Sequence, residues 1–577
     1  MSSAILPGVI RGLGRARIKF DLAYKNKKIG KANSKKFSFL EKLNLKDREF
    51  SRTAIFKTLK FFAEPEPEEV LFWTVLKLIY AEENGGICYP KKDLKEFILK
   101  KNPNLEPEKL WISYFESNQS KPLLSQDGDM IYLSHLYLTE ITVCEYLQPF
   151  FETNFEEKFK PYKDKTLSEE QTSIVNSIFQ NSISFLSGGP GTGKTTIIQA
   201  ILKSGIENGI HPSDISILAP TGKAAKRLQE SCSSILSQFE SLDAPSTIHR
   251  FLGYNPTTGK CKFNLDNPSS KKLIIIDESS MLDIFILKVL LEACPNFDRD
   301  RRFIFVGDPD QLLSVNSGSV FSDFVKLNKN TFKLTRSFRQ TTEGEEIKSI
   351  ASKIQSISTG DTLTLPDESI TVKKEFKEIT SGVHFIEVEK EEASLDIALA
   401  WYKNLSVQSL IGQILTPYNE TKIGVKNVNA FIQQKLNKDS KQIDKLPVVV
   451  NSNLYDLNLF NGESGYLIES ATSNRFIHSE KKEIEISNSY RQYFDAAFAI
   501  TVHKSQGSEY DHICLLLPAE LETPDSLLNI RILYTAITRA KKSVTIVGSP
   551  SLFFKALANK GEERHSRIVD RLSVFES

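Results

Sequence analysis

The sequence predicts an α/β protein in which buried parallel strands alternate with helices. Short apolar runs recur along the middle of the chain, each followed by a loop and a helical segment, as at Ile183–Leu186, Ile215–Leu218 and Leu273–Ile276. Runs of this kind are typical of strands covered on both faces of a parallel sheet. A second group of such strands, Ser409–Leu415 and Ile513–Leu517, indicates a second domain of the same class.

Composition sets broad limits on the kind of protein. The chain has 577 residues, of which 40% are hydrophobic and 25% charged. These fractions are those of an ordinary globular protein, and the length corresponds to roughly four domains. No run of about 18 apolar residues is present, so the sequence predicts no membrane span. The six cysteines follow no metal-binding spacing, which argues against a zinc site and for reduced, cytosolic thiols.

The positive charge is concentrated near the start of the chain. The net charge is only +2, so any surface for nucleic acid must be local. The first 60 residues hold 16 Lys and Arg against four acidic residues, which suits either a basic docking face or direct DNA contact. Up to about residue 160 no catalytic motif appears. Apolar stripes there predict a mostly helical domain, with Tyr132–Leu138 as a strand.

A glycine-rich loop follows the first of the apolar strands. Gly188, Gly193, Lys194 and Thr195 have the spacing of a phosphate-binding loop. Glycines permit positive φ and let amide N–H groups face an anion, while the helix that follows adds a partial positive charge. Lys194 is placed to reach the β- and γ-phosphates, and Thr195 to ligate Mg²⁺. The predicted nucleotide-binding loop comprises Gly188, Gly189, Pro190, Gly191, Thr192, Gly193, Lys194, Thr195 and Thr196.

Polar side chains also follow later strands. Asp277 and Glu278 come directly after the third strand, where Asp277 is placed for Mg²⁺ and Glu278 to deprotonate the attacking water. Gln311 follows a fourth apolar strand and is placed to sense the γ-phosphate. Upstream of the phosphate loop, Gln171 has an amide that both donates and accepts, as recognition of an adenine edge requires.

Other residues suit contacts with nucleic acid. Thr221 and Lys223, in a loop shaped by Pro220, are suitable partners for a phosphate backbone. His249 either touches nucleic acid or caps a helix.

Two stretches interrupt the α/β pattern. Residues from about 253 to 270 contain the turn Pro256–Gly259 and then alternate, which predicts a small β-hairpin. Residues 425–495 are rich in strand and turn signals, among them the hairpin dipeptide Asn461–Gly462, and predict a small β-barrel.

Seven of these stretches, in order from about residue 165 to 550, resemble the motifs of superfamily-1 helicases. The stretch Ala219–Ala225 resembles the 5′→3′ branch of these enzymes. Three others resemble the RecD family in that branch, the alpha subunits of exodeoxyribonuclease V, namely Thr247–Gly253, Gly307–Val315 and Val502–Glu509.

The resemblance implies two RecA-like P-loop NTPase domains with ATP between them. The first would supply Gln171, the phosphate loop, Asp277, Glu278 and Gln311. The second would supply the γ-phosphate arginines and residues near the nucleotide, namely Arg339 (with Arg336 as the alternative), Arg539, Gly507 and Glu509. Because hydrolysis then needs an arginine from a facing domain, it would depend on closure of the cleft. His503 and Lys504 would grip single-stranded DNA together with Thr221 and Lys223.

The resemblance also implies a domain plan and partners. The plan has an N-terminal partner-docking domain (1–160), a first RecA-like domain (161–325) with a pin at about 253–270, a second RecA-like domain (326–424 and 496–577) and an SH3-like barrel (425–495). Expected partners are DNA, as single strands and duplex ends, and RecB-like and RecC-like subunits in the bacterial nucleoid. A freestanding helicase and a non-catalytic nucleotide-binding scaffold are the alternatives. No second cluster of acidic residues suggests a nuclease, so exonuclease activity is expected in another chain.

Overall fold

A computed structural model shows the arrangement of most of the chain. It describes residues 54–55, 57–58, 68–117, 122–155, 159–336, 344–359, 371–439, 445–457, 459–469, 474–478, 483–520 and 527–574. Among the residues it describes, no helix is both long and apolar enough to cross a lipid bilayer.

Over residues 68–155, as far as the structure describes them, the N-terminal unit combines four helices with a small antiparallel sheet. The sheet has the order β1–β3–β2, formed by β1 (Cys88–Pro90), β2 (Leu124–Asp127) and β3 (Met130–Leu133). The helices are Glu69–Glu83, Lys91–Lys101, Pro107–Glu116 and Ser134–Phe151.

The strand predicted over Tyr132–Leu138 is wrong beyond Leu133. A helix begins at Ser134, and its buried face carries Leu136, Val143 and Leu147. Most of the apolar residues with helical spacing come after the short alternating run, so the run by itself indicated a strand where a helix forms.

The first domain is built on six parallel strands in the order β6–β5–β7–β8–β4–β9. The strands are β4 (Ile183–Gly188), β5 (Ile215–Ala219), β6 (Ser246–Thr247), β7 (Leu273–Ile276), β8 (Arg302–Gly307) and β9 (Thr331–Leu334). The helices are Glu169–Ser177, Lys194–Glu207, Gly222–Ser231, Ser233–Gln238, Ile248–Phe251, Ile284–Ala293 and Val320–Leu327. The central strands are buried along their whole length, as their unbroken apolar sequences predict.

The second domain repeats this plan with the order β10–β11–β20–β19–β12–β18, again parallel throughout. Its strands are β10 (Thr371–Lys373), β11 (Gly382–Glu387), β12 (Gly412–Thr416), β18 (Ala499–Thr501), β19 (Tyr510–Leu516) and β20 (Ala540–Gly548). Its helices are Glu345–Thr359, Glu391–Val407, Val425–Asp439, Ile530–Ile537 and Pro550–Ala558. The predicted α/β class with two RecA-like domains is confirmed.

A five-stranded antiparallel sheet is inserted between β12 and β18. It has the order β16–β15–β14–β13–β17, from β13 (Leu446–Val450), β14 (Ser464–Glu469), β15 (Asn474–His478), β16 (Glu483–Ile486) and β17 (Phe494–Ala496). The interpretation of residues 425–495 as strand- and turn-rich throughout is wrong for 425–439, which form a helix of the second domain. Val428 and Ile432 lie one turn apart on that helix and are both buried.

The stretch at 253–270 is less regular than the predicted hairpin. Its β-structure consists of two isolated bridges, between Asn255 and Lys260 and between Asn264 and Asn267. The side chains of Asn255 and Asn264 each accept bonds from backbone amides two and three residues on. These local bonds close two separate turns and compete with a continuous ladder.

The end of the chain leaves the second domain and returns to the N-terminal unit. His565 forms a β-bridge with Cys88, and a short helix, Ile568–Ser573, buries Ile568 and Leu572 in the apolar cluster that the N-terminal unit shares with the first domain. The prediction that residues 496–577 all belong to the second domain is therefore wrong for this last segment.

Candidate nucleotide site

The site begins where β4 gives way to the phosphate loop. Gly191 and Gly193 have positive φ angles of 75° and 82°, and the helix begins at Lys194. A Cβ on Gly188 would lie 2.7 Å from Thr192 Oγ1, so a side chain there would collide with the loop. These glycines therefore allow the tight turn that directs backbone amides to one place at a helix N-terminus.

Lys194 lies folded along the same loop. Its Nζ donates to the carbonyl oxygens of Gly188 at 2.7 Å and Gly189 at 3.0 Å. The ammonium group is thus held beside the position that the loop amides enclose.

The carboxyl ends of neighbouring strands place the acidic residues and Gln311 at the same edge of the sheet. Strand β8 lies between β4 and β7, so the residues that follow these three strands converge. Asp277 Oδ1 accepts a bond from the Glu278 amide at 2.9 Å. Burial and, next, the nearby charge of Glu278 raise the pKa of Asp277 to about 6, and the charge of Lys194 partly opposes this rise.

The second domain faces this edge with the starts of two adjacent strands. Tyr510, the first residue of β19, donates its amide to the Arg539 carbonyl at 2.8 Å, just before β20 begins. Glu509 and Arg539 are therefore neighbours. The buried Arg539 donates from Nη1 to the Ser508 carbonyl at 3.3 Å and from Nη2 to Gln311 Oε1 across the cleft.

A cavity of about 380 Å³ lies between the two domains. The residues predicted from sequence that line it are Pro190, Gly191, Gly193, Lys194, Thr195, Asp277, Glu278, Gln311, Gly507, Glu509 and Arg539. The predicted residues Gln171, Gly188, Gly189, Thr192 and Thr196 do not line it, and Arg339 lies outside the described residues. The alternative, Arg336, is exposed beyond β9 and does not line the cavity.

Several lining residues were not predicted, of which Arg227 has the clearest contact. Its Nη2 lies 2.9 Å from Glu509 Oε2, which joins a helix of the first domain to the second domain. Lys541 approaches the same carboxylate at 3.8 Å. Arg227 follows Lys223 by four residues on the helix Gly222–Ser231, and that spacing was the available signal. The remaining lining residues are Ala224, Leu228 and Thr538.

Two families match the parts of the chain that form this cavity. The AAA domain matches residues 171–317, and the UvrD-like helicase C-terminal domain matches residues 496–547. The first range holds the phosphate loop, both acidic residues and Gln311. The second holds Glu509 and Arg539. The chain therefore binds nucleotide through two helicase domains.

Relatives that align with most of the chain carry the name RecD. The RecBCD enzyme subunit RecD of Mycolicibacterium smegmatis is 28% identical over 523 residues, covering 84% of this chain and 90% of that protein. The subunit of the same name in Buchnera aphidicola (subspecies Schizaphis graminum) is 27% identical over 571 residues, covering 84% and 91%. Over most of its length the chain is similar to the RecD helicases.

Two further similarities are more partial. The ATP-dependent RecD2 DNA helicase of Deinococcus radiodurans is 28% identical over 416 residues, covering 71% of this chain but 53% of that protein. A solved Pif1 helicase from Candida albicans has a TM-score of 0.40 at 15% identity, covering 71% of this chain and 99% of that one. At this TM-score the likeness carries no weight, and the fold assignment rests on the two parallel sheets.

Gln171 forms hydrogen bonds close to the phosphate loop. It forms a capping box with Ser168, and its Nε2 donates to the Thr192 carbonyl at 3.3 Å. The side chain is 3% exposed. The structure thus brings Gln171 against the loop without placing it in the cavity wall.

The predicted DNA-binding residues fall on facing parts of the two domains. Thr221 caps the helix Gly222–Ser231 by accepting the Ala224 amide at 3.3 Å, and Lys223 Nζ lies 5.9 Å from the Tyr510 ring of the second domain. A Cβ on Gly507 would lie 3.5 Å from Ala224 Cβ, so the two segments are in contact.

The remaining predicted DNA contacts are more scattered. Lys504 is exposed and His503 partly buried, both in a short 3-10 turn that precedes Gly507. Pro220 is partly exposed immediately before Thr221. His249 is exposed, with its ring 5.6 Å from that of Tyr254.

Proposed function

We propose that the chain is an ATP-dependent 5′→3′ DNA helicase that serves as the alpha subunit of an exodeoxyribonuclease V complex. The observation that carries this proposal is the cavity between two RecA-like domains, lined by Lys194 and Glu278 from one domain and Arg539 from the other. A site shared in this way makes ATP hydrolysis depend on how the domains meet, which is what a translocating motor needs.

The residues of the cavity fit ATP and Mg²⁺. The loop amides, the helix N-terminus and Lys194 would bind the phosphates. Thr195 and Asp277 would hold Mg²⁺, since both offer the oxygen ligands that this hard cation prefers. When bound, Mg²⁺ would neutralise charge that develops on the transferred phosphoryl group.

The chemical step is assigned to residues from both walls of the cavity. Glu278 would orient the attacking water and take its proton, and Gln311 would sense the γ-phosphate. Arg539 and Arg339 would stabilise charge in the transition state from the second domain. Gln171 would contact the adenine, which requires its present bond to Thr192 to be exchanged.

The proposed path of the DNA crosses the two facing segments. Pro220, Thr221, Lys223 and His249 would hold the strand from the first domain, and His503 and Lys504 from the second. Such contacts with phosphates are tolerant of sequence and sensitive to salt. The turns at 253–270 would meet the arriving duplex and separate its strands.

Membership of a complex is favoured by how the relatives align. The relatives that align with most of this chain include RecBCD subunits from two organisms, which supports a subunit over a freestanding enzyme. We infer that RecB-like and RecC-like subunits are partners, that the N-terminal unit docks on one of them, and that the complex acts on DNA ends in the bacterial cytoplasm. Nuclease activity would then belong to another subunit.

Strand displacement on tailed duplexes tests the polarity. The chain, alone or in its complex with the 3′→5′ partner disabled, should unwind a duplex with a 5′ single-stranded tail and leave one with only a 3′ tail intact. Lys194→Gln in the same preparation is the control and should unwind neither. Preference for the 3′ tail would overturn the proposal.

A further inference from the structure

A buried carboxylate joins the two domains beside the nucleotide cavity. Tyr534, on the second-domain helix Ile530–Ile537, donates its hydroxyl to Asp308 Oδ2 at 3.1 Å. Asp308 is 1% exposed and Tyr534 is 2% exposed. Neither residue lines the cavity, and the motif analysis singled out neither of them for a role.

The same carboxylate oxygen also holds Gln311. Gln311 Nε2 donates to Asp308 Oδ2 at 3.1 Å, while its Oε1 accepts from Arg539 Nη2. Tyr534 and Arg539 lie five residues apart in the second domain, so three hydrogen bonds link the four side chains in a row that begins and ends in that domain. The orientation of Gln311 is fixed from both of its ends.

Tyr534 also abuts the phosphate loop. A Cβ on Gly189 would lie 3.4 Å from Tyr534 Oη, and Gly189 is one of the two residues whose carbonyls accept from Lys194. One hydroxyl group therefore binds the carboxylate that orients Gln311 and lies beside the position that a side chain on Gly189 would take.

We propose that Tyr534 is a positioning residue for ATP hydrolysis, whose hydroxyl fixes Asp308 and through it the Gln311–Arg539 pair against the phosphate loop. This inference rests on the proposed function, because it assigns Tyr534 to the ATPase step of the helicase. The residue does not touch the reacting atoms, so its loss should slow turnover and leave the binding of ATP and DNA nearly unchanged.

The geometry separates this role from simple packing. Asp308 Oδ1 is already occupied by the Asp310 amide at 3.1 Å, so Oδ2 alone serves both Tyr534 and Gln311. Removing only the hydroxyl keeps the aromatic ring in the buried interface and leaves Oδ2 free to turn away from Gln311. A buried hydrogen bond shared in this way is worth enough to change a rate about tenfold.

Tyr534→Phe tests the proposal, with Tyr162→Phe as the matched control. Tyr162 also is buried and donates to an aspartate, Asp164 Oδ2 at 3.3 Å, but within the first domain and away from the cavity. We expect kcat for DNA-stimulated ATP hydrolysis to fall about tenfold in Tyr534→Phe. Its KM for ATP and its Kd for single-stranded DNA should stay within about twofold of wild type. Tyr162→Phe should retain the wild-type kcat.

A double variant shows whether the hydroxyl acts through Asp308. Asp308→Asn keeps the shape but has one acceptor oxygen in place of two, and it should also lower kcat. If Tyr534 acts through Asp308, the double variant should be no slower than the slower single variant. The inference would be overturned if the losses in kcat of the two single variants multiplied in the double variant. It would also be overturned if KM rose as much as kcat fell, or if Tyr534→Phe had wild-type turnover. If the wild-type protein itself showed no DNA-stimulated hydrolysis, the proposed function would be at fault instead.

Discussion

Glu278 has a backbone conformation that few side chains other than glycine adopt. Its φ is 51°, in the left-handed region, at the point where β7 ends and a short 3-10 turn begins. A non-glycine residue in this region carries strain on the order of 1 kcal/mol or more. The hydrogen bond from its amide to Asp277 helps to hold the conformation, which sets both acidic side chains in the wall of the cavity.

Glu278→Gln tests the assignment of the general base. The variant keeps the side-chain shape but cannot take a proton, so we expect ATP turnover to fall by about 10² or more with ATP binding retained. Steady-state hydrolysis with single-stranded DNA, together with nucleotide binding by fluorescence titration, measures both quantities. Lys194→Gln provides the contrast, because it should also abolish hydrolysis but through the phosphate contacts. Normal turnover in Glu278→Gln would remove the residue from its proposed role.

The raised pKa of Asp277 makes the folding stability of the protein depend on pH. Burial and the charge of Glu278 raise its pKa from the ordinary value to about 6, so ionisation of Asp277 costs folding free energy that is fully present above pH 6 and disappears as the pH falls through the unfolded pKa. Since the side chain reaches the cavity, we expect a cost on the order of 1 kcal/mol.

Asp277→Asn should therefore be more stable than wild type at pH 8 without divalent cations, and equal to it near pH 4. Added Mg²⁺ should stabilise the wild type more than the variant, because only the carboxylate is a strong ligand. Urea denaturation at the two pH values, with and without Mg²⁺, measures this. A variant that is less stable at pH 8 would contradict the expected sign.

Residues within recognisable motifs could be found from the sequence, whereas residues that act through the fold could not. Lys194, Asp277 and Gln311 follow buried strands at characteristic spacings. Arg227 and Tyr534 lie a few residues from the predicted Lys223 and Arg539, but their partners Glu509 and Asp308 are 282 and 226 residues away in the chain. Contacts of that kind depend on how two domains meet, which no local pattern encodes.

At the scale of single elements, buried parallel strands were the most predictable features. Their apolar runs are short, continuous and bounded by turns, so β4, β5 and β7 begin within one residue of the predicted strands and run at most two residues past their predicted ends. The errors occurred where two periodicities overlap. The helix Val425–Asp439 has polar residues at many positions, so its sequence was assigned to the strand-rich insert that follows it. Its buried Val428 and Ile432 belong to the same apolar cluster as the helix Glu391–Val407, a contact that the local sequence does not show.

The helix Ile568–Ser573 offers a test of a buried ion pair. Arg571 donates from Nε to Glu140 Oε2 at 3.3 Å and also pairs with Asp127, while Glu140 is 0% exposed and accepts from Tyr132 at 3.0 Å. Arg571→Ala would leave Glu140 buried without its cation. We expect a loss of about 3 kcal/mol in the free energy of unfolding of the unit that contains Glu140.

Arg475→Ala is the matched control, because Arg475 pairs with Glu483 at 2.6 Å but both side chains are about half exposed. Its cost should be under about 1 kcal/mol. Burial raises the pKa of Glu140, and loss of Arg571 should raise it further, so the effect of Arg571→Ala should shrink as the pH falls and the carboxyl protonates. Chemical denaturation at pH 8 and pH 5 measures both variants. Equal costs for the two would show that the Glu140 pair is no stronger than a surface pair.

Across the whole molecule, the last segment of the chain connects units that are far apart in sequence. It leaves the second domain after the helix Pro550–Ala558 and crosses to the first domain, where Arg564 donates to Ser314 at 3.3 Å and Ser566 to Asp323 at 2.8 Å. It then reaches the N-terminal unit, where the His565 carbonyl accepts the Ile87 amide at 3.1 Å. All three units are thereby held by one polypeptide segment.

Ending the chain after Gly561 should release the N-terminal unit while sparing the nucleotide site. No lining residue of the cavity lies beyond Lys541, so ATP binding should persist. The N-terminal unit would lose the buried Ile568 and Leu572 as well as the Arg567 and Arg571 ion pairs, and we expect it to unfold as a separate, earlier transition. Differential scanning calorimetry detects this uncoupling.

A second, full-length variant tests the same prediction in case the shortened chain misfolds. Arg567→Ala with Arg571→Ala keeps the apolar residues of the last helix and removes only the charges that bind Asp127 and Glu140. It should show the same early transition to a lesser degree, with the transition of the two RecA-like domains unchanged. ATP, which binds between those domains, should raise the temperature of the later transition and leave the earlier one where it is. A single transition that moves as a whole in both variants would mean that the N-terminal unit is held by its own contacts with the first domain, and that the last segment only covers the junction.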